Sequence, residues 1–422
     1  MKHNYVSAER FILSREFFGM KLGLENISQF LDAIGAPQFS YPTIHLAGTN
    51  GKGSTASMIA SVLQYAGYKT GLFTSPHLVS LRERIRVNGR LIPRPSVTAF
   101  VDRYRRELDR RKLSFFEVIT AMALYYFRQA GVDIAVIETG LGGRLDATNV
   151  LAPLLTITTD ISRDHVEILG YSLKKIAFEK AGIIKPATPH LIGLLPPEAE
   201  EVMRRRCRLL GTRLHKLSRS NFVAHSDCGR LDFTWNGCHL TKVEPSLYGP
   251  HQLSNAALAL KSLVIIDALG VKVSRSAMRT GLRTVDWPGR FQIVRHRGQP
   301  TIILDVCHNA GGVAAFVDAF KRRFGDRRAH VVTGFVRRKP HQEMFNLLGG
   351  IAEEFHLVPL KTHRRTDLST LLAQTDFHGV PVRRCRSLRS ALDRLLKSCR
   401  RDDIIVVAGS HYLVGEYLEK FG

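Results

Sequence analysis

The sequence predicts an α/β protein of two domains, a larger one built on a parallel sheet and a smaller α/β one behind it. Three observations predict this. Short apolar runs alternate with helix-period segments, the order that places parallel strands between two layers of helices. One such run, TIHLAG (43–48), leads through a glycine-rich turn straight into the helical stretch ASMIASVLQYAG. At 422 residues the chain also exceeds one ordinary core. WPGRF (287–291) supplies a Pro/Gly joint, so the expected domains are 1–289 and 290–422.

The elements follow in order. After TIHLAG and its helix, GYKTGLFTS reads as a second strand, and ERIRVNGRLIP (83–93) alternates around Asn88-Gly89, a hairpin signal. Helices are expected at about 95–111 and 116–130, then DIAVIET (133–139) as a buried strand ending in an acid. LLTITTDIS, SLKKIAFEKAGI and HLIGLL continue the strand–helix–strand rhythm. Short polar hairpins fill 220–247, and HQLSNAALALKSLVIIDALG resumes a long helix. Beyond the joint a new series begins: TIILDVCHN, a helix at 311–324, HVVTGFV, a helix near 340–350, EFHLVPL and DIIVVAGS.

Bulk properties exclude several classes. Hydrophobic residues at 44% and charged residues at 23% describe a soluble globular chain with no membrane span. The N-terminus carries early acidic residues and no small-residue cleavage site, which argues against a signal peptide. Six cysteines (Cys207, Cys228, Cys238, Cys307, Cys385, Cys399) are scattered without a C-x-x-C pair. No disulfide framework or zinc site is expected from them, and cytoplasmic localisation follows. The formal charge of +24 comes largely from runs such as RRELDRRK (105–112) and MRRRCR (203–208). Solvated helix faces account for them; nucleic-acid binding is the alternative.

The chemistry starts at HLAGTNGKGST (45–55). The common phosphate-binding loop is G-x-x-x-x-G-K-[S/T]. Here Gly48 stands only three residues before Gly51, and Gly53 separates Lys52 from Ser54. Backbone N–H groups of Gly48, Thr49, Asn50, Gly51 and Gly53 at a helix start suit anionic oxygens, and Lys52 adds a charge. Ser54 can reach a phosphate-bound Mg²⁺. A P-loop parallel-sheet ATPase domain followed by a smaller Rossmann-like α/β domain is the resulting fold class.

The shortened loop resembles that of the Mur-ligase superfamily, whose members use ATP to join a carboxylate to an amine. From about residue 19 to 420 the chain is similar to the dihydrofolate synthase/folylpolyglutamate synthase family. The shared motifs come in order: HLAGTNGKGST, FTSPHLVSLRERIRVNG, FFEVITAMALYYF, IETGLGGRLDATNV, DHVEILG, IAFEKAGIIK, HQLSNAALAL, WPGRFQ and LDVCHN. The resemblance implies ATP and two Mg²⁺ ions, and allows a monovalent cation. Its implied metal ligands are Ser54, Ser75, Glu138 and His165. Lys52, Lys180 and His165 are implied as catalytic, Lys180 as a carbamate. Asn255, Arg290, Asp305 and His308 are implied nucleotide contacts, and Arg290 at the joint suits closure of the small domain onto phosphate charge. Ser114, Phe115, Phe116, Glu117, Leu145, Asp146 and Ala147 are the implied pterin segments. The implied small molecules are dihydropteroate, tetrahydrofolate, L-glutamate and ATP, acting on a monomer without nucleic acid or membrane.

Taken without the resemblance, several of these residues have bland readings. Glu138 is then a strand-end surface acid, His165 a polar loop residue, Lys180 a solvated helix charge, and Phe115 and Phe116 core. The chain also departs from the family pattern. LDVCHNAGG has Val306 for a glycine and Ala310 for a proline, FVRRKP lacks an acidic D-K-D, and His411 replaces an apolar residue. A valine cannot take glycine's left-handed conformations, so altered nucleotide grip is expected. A Mur-type ligase for another carboxylate and a nucleic-acid-dependent ATPase are the rival readings.

Overall fold

The computed structural model describes residues 4–19, 23–225 and 229–422. The chain forms two compact units. One comprises Met1–Val223, Leu231–Pro245 and Ser254–Val285; the other comprises Ala224–Arg230, Ser246–Leu253 and Asp286–Gly422.

The first unit is built on eight strands: β1 (Thr43–Ala47), β2 (Thr70–Phe73), β3 (Ile85–Val87), β4 (Arg90–Leu91), β5 (Ile134–Glu138), β6 (Leu155–Thr158), β7 (His190–Ile192) and β8 (Leu214–Lys216). Their order is β4-β3-β2-β5-β1-β6-β7-β8. The six strands from β2 to β8 are parallel, and β3 and β4 form an antiparallel edge. That edge turns at Asn88 (φ 48°) and Gly89 (φ 73°), the left-handed pair a tight hairpin requires. Every residue of β1 and β5 is buried, as befits central strands covered on both faces. The register Leu46↔Glu138 and Ala47↔Thr158 brings Gly48, Glu138 and Thr159 to the carboxyl end of the sheet. Ligands of parallel α/β sheets gather at this end.

Helix Phe115–Ala130 packs into a core with Tyr5–Ser14, Glu25–Ala33 and Arg94–Arg110, centred on Phe30, Phe100 and Phe127. Sequence periodicity did not point to the first two helices. Arg15, just after one of them, is almost fully buried: its guanidinium donates to the carbonyls of Leu108 (3.1 Å) and Leu113 (2.9 Å) and pairs with Asp109. The basic runs behave as solvated faces elsewhere. In helix Pro197–Leu209, Met203 and Cys207 are buried while Arg204, Arg205 and Arg206 face water. A small sheet of order β11-β10-β9 follows, formed by β9 (Phe222–His225), β10 (Arg230–Trp235) and β11 (Cys238–Val243).

The second unit carries β12 (Gln292–Val294), β13 (Thr301–Asp305), β14 (Ala329–Thr333), β15 (Ala352–Leu357), β16 (Val382–Arg384) and β17 (Ile404–Ala408), ordered β12-β13-β17-β14-β15-β16. All pairs are parallel except β12 with β13. Val331, Phe355 and Val406 from the sheet pack with Phe316, Phe320 and Phe345 from its helices. The edge strands β12 and β16 and helices Leu368–Gln374 and Leu388–Ser398 are additions to the expected elements. Cys207, Cys238, Cys307, Cys385 and Cys399 are free thiols, while Cys228 lies outside the described residues. No helix among the described residues is long and apolar enough to cross a membrane.

Candidate active site

The loop after β1 is shaped by two glycines. A Cβ on Gly48 (φ 156°) would sit 2.0 Å from Thr159 Oγ1, and one on Gly51 (φ 81°) would sit 2.6 Å from Asn255 Oδ1. A side chain at either position would strain the backbone and have to displace its neighbour. The segment after β6 pins the loop. Thr49 N–H donates to the Asp160 carbonyl (2.8 Å) and its hydroxyl to the Ser162 carbonyl (3.0 Å). Asn50 Nδ2 donates to Asp160 Oδ2 (3.2 Å) and Ser162 Oγ (3.0 Å), and Thr159 Oγ1 donates to the Asn50 carbonyl (2.7 Å). Sequence reasoning passed over Thr159, Asp160 and Ser162; their signal was a polar TDIS tail on an apolar strand beside β1.

Helix Lys52–Tyr65 starts directly at the loop, with Gly53, Ser54 and Thr55 buried in its first turn. Lys52 Nζ donates to the carbonyls of Gly48 (3.0 Å) and Thr49 (3.3 Å) and lies 3.8 Å from Glu138 Oε1. Glu138 is 3% exposed, and its Oε2 accepts the Ser75 N–H at 3.1 Å. Lys180, in the last turn of helix Leu173–Ala181, is 4% exposed and donates to the same Gly48 carbonyl at 2.7 Å. Burial, and then the charge of Lys52, lowers its pKa to about 7, against the pull of Asp160, Asp164 and Asp146. Two lysine nitrogens thus share one carbonyl, and among the described residues Lys52, not Lys180, has a carboxylate within ion-pair distance.

The structure therefore gathers Gly48, Lys52, Ser75, Glu138 and Lys180. His165 sits differently, on an exposed turn with φ 49° ahead of helix Val166–Leu169. Its N–H donates to Asp164 Oδ1 (2.8 Å), and its Nε2 is 3.8 Å from Asp164 Oδ2. The buried Glu138 carboxylate with the hydroxyls of Ser54 and Ser75 is a hard-oxygen donor set, which fits Mg²⁺; the imidazole of His165 is the softer member.

Ser114 caps helix Phe115–Ala130 through a reciprocal box with Glu117. Ser114 N and Oγ donate to Glu117 Oε2 at 2.8 and 2.7 Å, while Glu117 Oε1 is buried without a hydrogen-bond partner. Phe116 leans on Gly140, where a Cβ would meet its ring at 2.4 Å, and Phe115 lies under the Arg84 guanidinium at 5.1 Å. Both rings are half-buried against the core. Arg84 Nε also donates to His77 Nδ1 at 2.8 Å; burial and this cation lower the His77 pKa to about 3. Neither residue stood out in the sequence beyond lying in SPHL and RERIR.

Asp146, flanked by half-buried Leu145 and buried Ala147, accepts from Leu141 N (2.8 Å) and Thr148 Oγ1 (2.6 Å), and burial raises its pKa. Thr148 Oγ1 in turn meets His45 Nε2 at 2.8 Å.

In the second unit, Asp305 ends β13 and is 6% exposed. It accepts from Phe291 N and Cys307 N, both at 2.8 Å; burial raises its pKa and Arg290 opposes this. The Arg290 Nε is buried without a hydrogen-bond partner. Val306 is not among the residues with positive φ, so the valine strains nothing there. Ala310 opens helix Ala310–Phe324 behind an Asn309 cap. The His308 and His411 rings lie 4.9 Å apart.

A shortened glycine–lysine loop at the carboxyl end of a parallel sheet, followed by a second parallel α/β unit, defines a class. Residues 46–263 match the Mur ligase middle domain and residues 289–411 the Mur ligase glutamate ligase domain. The chain belongs to the Mur ligase family of ATP-dependent ligases. Within it, the chain is similar to the dihydrofolate synthase/folylpolyglutamate synthase of Bacillus subtilis (strain 168), 33% identical over 98% of each chain. Its structure is similar to Mycobacterium tuberculosis folylpolyglutamate synthase complexed with ADP (TM-score 0.91, 30% identity, 99% of each chain). It is also similar to Escherichia coli FolC in complex with DHPP and ADP (TM-score 0.87, 29% identity, 99% of this chain and 97% of that one).

Proposed function

We propose that this chain uses ATP to join L-glutamate to the carboxylate of 7,8-dihydropteroate, or to the glutamyl tail of a folate such as tetrahydrofolate. The observation that carries this reading is the convergence of Lys52 and Lys180 on the Gly48 carbonyl beside buried Glu138. End-to-end similarity to enzymes named for these two activities supports it.

In this reading the loop residues Gly48 to Ser54 and Asn255 hold the nucleotide, and Arg290, Asp305 and His308 contact it. Residues 1–289 form the ATP-binding part and 290–422 the glutamate ligase part. Ser54, Ser75, Glu138 and His165 would hold Mg²⁺, two ions in all, which when bound neutralise phosphate charge. Lys52 stabilises charge on the transferred phosphoryl group. The γ-phosphoryl passes to the substrate carboxylate, giving an acyl phosphate. The glutamate amine attacks that carbonyl, and phosphate leaves from the tetrahedral intermediate. Lys180 contributes as a carbamate, an anion made from a neutral amine and carbon dioxide. Ser114 to Glu117 and Leu145 to Ala147 form the pterin wall, with Glu117 Oε1 the free acceptor for ring N–H donors. The enzyme works as a cytoplasmic monomer.

ADP release by purified protein, with dihydropteroate or tetrahydrofolate and with or without L-glutamate, tests this reading. ADP and phosphate should form only when both a pteroate or folate and glutamate are present. ATP turnover driven by single-stranded nucleic acid, with none from dihydropteroate, defeats it. Turnover only with an unrelated carboxylate would assign the chain to another Mur-type ligase.

A further inference from the structure

The second unit holds a set of metal-ligating side chains that the ligase reading does not use. Strands β14 and β15 pair in the register His330↔Glu354 and Val332↔His356, and β15 meets β16 at His356↔Arg383. Parallel partners and alternate residues share a face of a sheet. His330, Glu354, His356 and Arg383 therefore stand on one side, while Val331 and Phe355 enter the apolar core on the other. A register shift between Ala329 and His330 leaves Glu353 as the extra residue and sets Glu354 opposite His330. Such bulges re-aim side chains.

Glu354 Oε2 lies 3.1 Å from His356 Nε2 and 3.8 Å from His330 Nδ1, and one ligand atom from each of the three residues lies within 4.8 Å of the others. Metal–ligand bonds of about 2.0–2.1 Å around tetrahedral zinc set the ligand atoms roughly 3.3–3.4 Å apart. The two separations from Glu354 Oε2 bracket that value. His356 is 1% exposed, and among the described residues its ring nitrogens meet only the Glu354 carboxylate, 3.1 Å from Nε2, while Nδ1 of His330 makes no hydrogen bond. Buried polar atoms are usually satisfied, and a shared cation would satisfy these three together. Glu354 Oε1 is taken by Arg383 Nε at 2.9 Å, which leaves Oε2 toward the two imidazoles. Burial keeps His356 neutral, lowering its pKa to about 4; Glu354 opposes this, while His330, Arg383 and Arg394 act with burial.

The geometry points to a zinc-type divalent metal site formed by His330, Glu354 and His356, with a fourth position for water or an added ligand. Two imidazoles and one carboxylate select zinc or a similar transition metal over Mg²⁺. Arg383 acts as the outer partner that orients the carboxylate. This site stands independently of the ligase chemistry.

The test uses the full chain, stripped with a chelator and held in excess Mg²⁺ to fill hard-oxygen sites. Zn²⁺ is titrated in competition with a colorimetric chelator, and Co²⁺ is followed by its visible absorption. One tight equivalent and tetrahedral Co²⁺ bands are expected. His330→Asn and Glu354→Gln, both at partly exposed side chains, should weaken Zn²⁺ by at least about tenfold and lose those bands. Ligase turnover in Mg²⁺ should stay unchanged. His356→Asn repeats the test at the buried position, where folding must be checked first. No stoichiometric Zn²⁺, or equal affinity in wild type and the two rim variants, overturns the proposal and leaves a plain ion-pair network.

Discussion

Lys180 offers the sharpest test of the ligase site, because its proposed role depends on a charge state that its burial creates. An ordinary lysine at pH 7.5 is neutral in roughly 0.1% of molecules. With its pKa lowered to about 7, the Lys180 amine is neutral in about three quarters of them. Neutral amine is what adds carbon dioxide, so burial raises the reactive fraction several hundred-fold, in the sense that the neutral form grows as pH rises through about 7. A carbamate keeps one N–H, the donor that the bond to the Gly48 carbonyl needs. It also turns one of the two amines that share that carbonyl into an anion beside the Lys52 cation. Protein equilibrated with ¹³C-labelled bicarbonate should show one carbamate resonance, absent in Lys180→Ala. Lys180→Ala should lose about 10²–10³ in turnover, and acetate or formate should restore part of it. Lys180→Arg keeps the positive charge without the reactive amine and should be as inactive as alanine. A fully active alanine or arginine variant refutes the reasoning, as does full wild-type activity without bound label.

Four further outcomes are expected. Lys52→Ala and Glu138→Ala should each cost about 10²–10³ in the rate of ADP release while circular dichroism stays unchanged; near-normal turnover by either would place the phosphate centre elsewhere. Glu117→Gln keeps an oxygen for the Ser114 cap but loses the carboxylate, so KM for dihydropteroate should rise with KM for ATP unchanged. Ser114→Ala should instead cost about 1 kcal/mol of stability through the lost cap, read from urea melts; a collapse of ATP affinity in Glu117→Gln would make the segment purely structural. His190, bonded to the hydroxyls of Thr156 (2.9 Å) and Thr158 (3.3 Å), is held neutral by burial with its pKa lowered to about 3. The unfolded chain binds that proton more readily, so stability should fall as pH drops from about 6.5 toward 3, and His190→Gln should flatten the fall in melting temperature.

What was legible in the sequence was local. The strand, glycine turn and helix at 43–65, the Asn88-Gly89 hairpin and the strand–helix alternation all depend on backbone preferences among near neighbours, and each appears where expected. The ordered motifs also carried the family. The site was legible as a roster of residue types, and their states were not. The sequence read Lys180 as a solvated charge or, through the family, a carbamate; its depressed pKa comes from burial and from Lys52, and its partner Gly48 lies 132 residues away. Glu117 read as a pterin acid, yet half of its carboxylate serves a helix cap. Arg15 drew no notice in the sequence, yet it holds two backbone carbonyls inside the core. The strand order, the antiparallel edge β12 and the His330–Glu354–His356 face arose from pairings between distant segments. Chain neighbours decide whether a segment is strand, turn or helix. Desolvation and through-space charge, which decide what its side chains can do, exist only once the sheet has assembled.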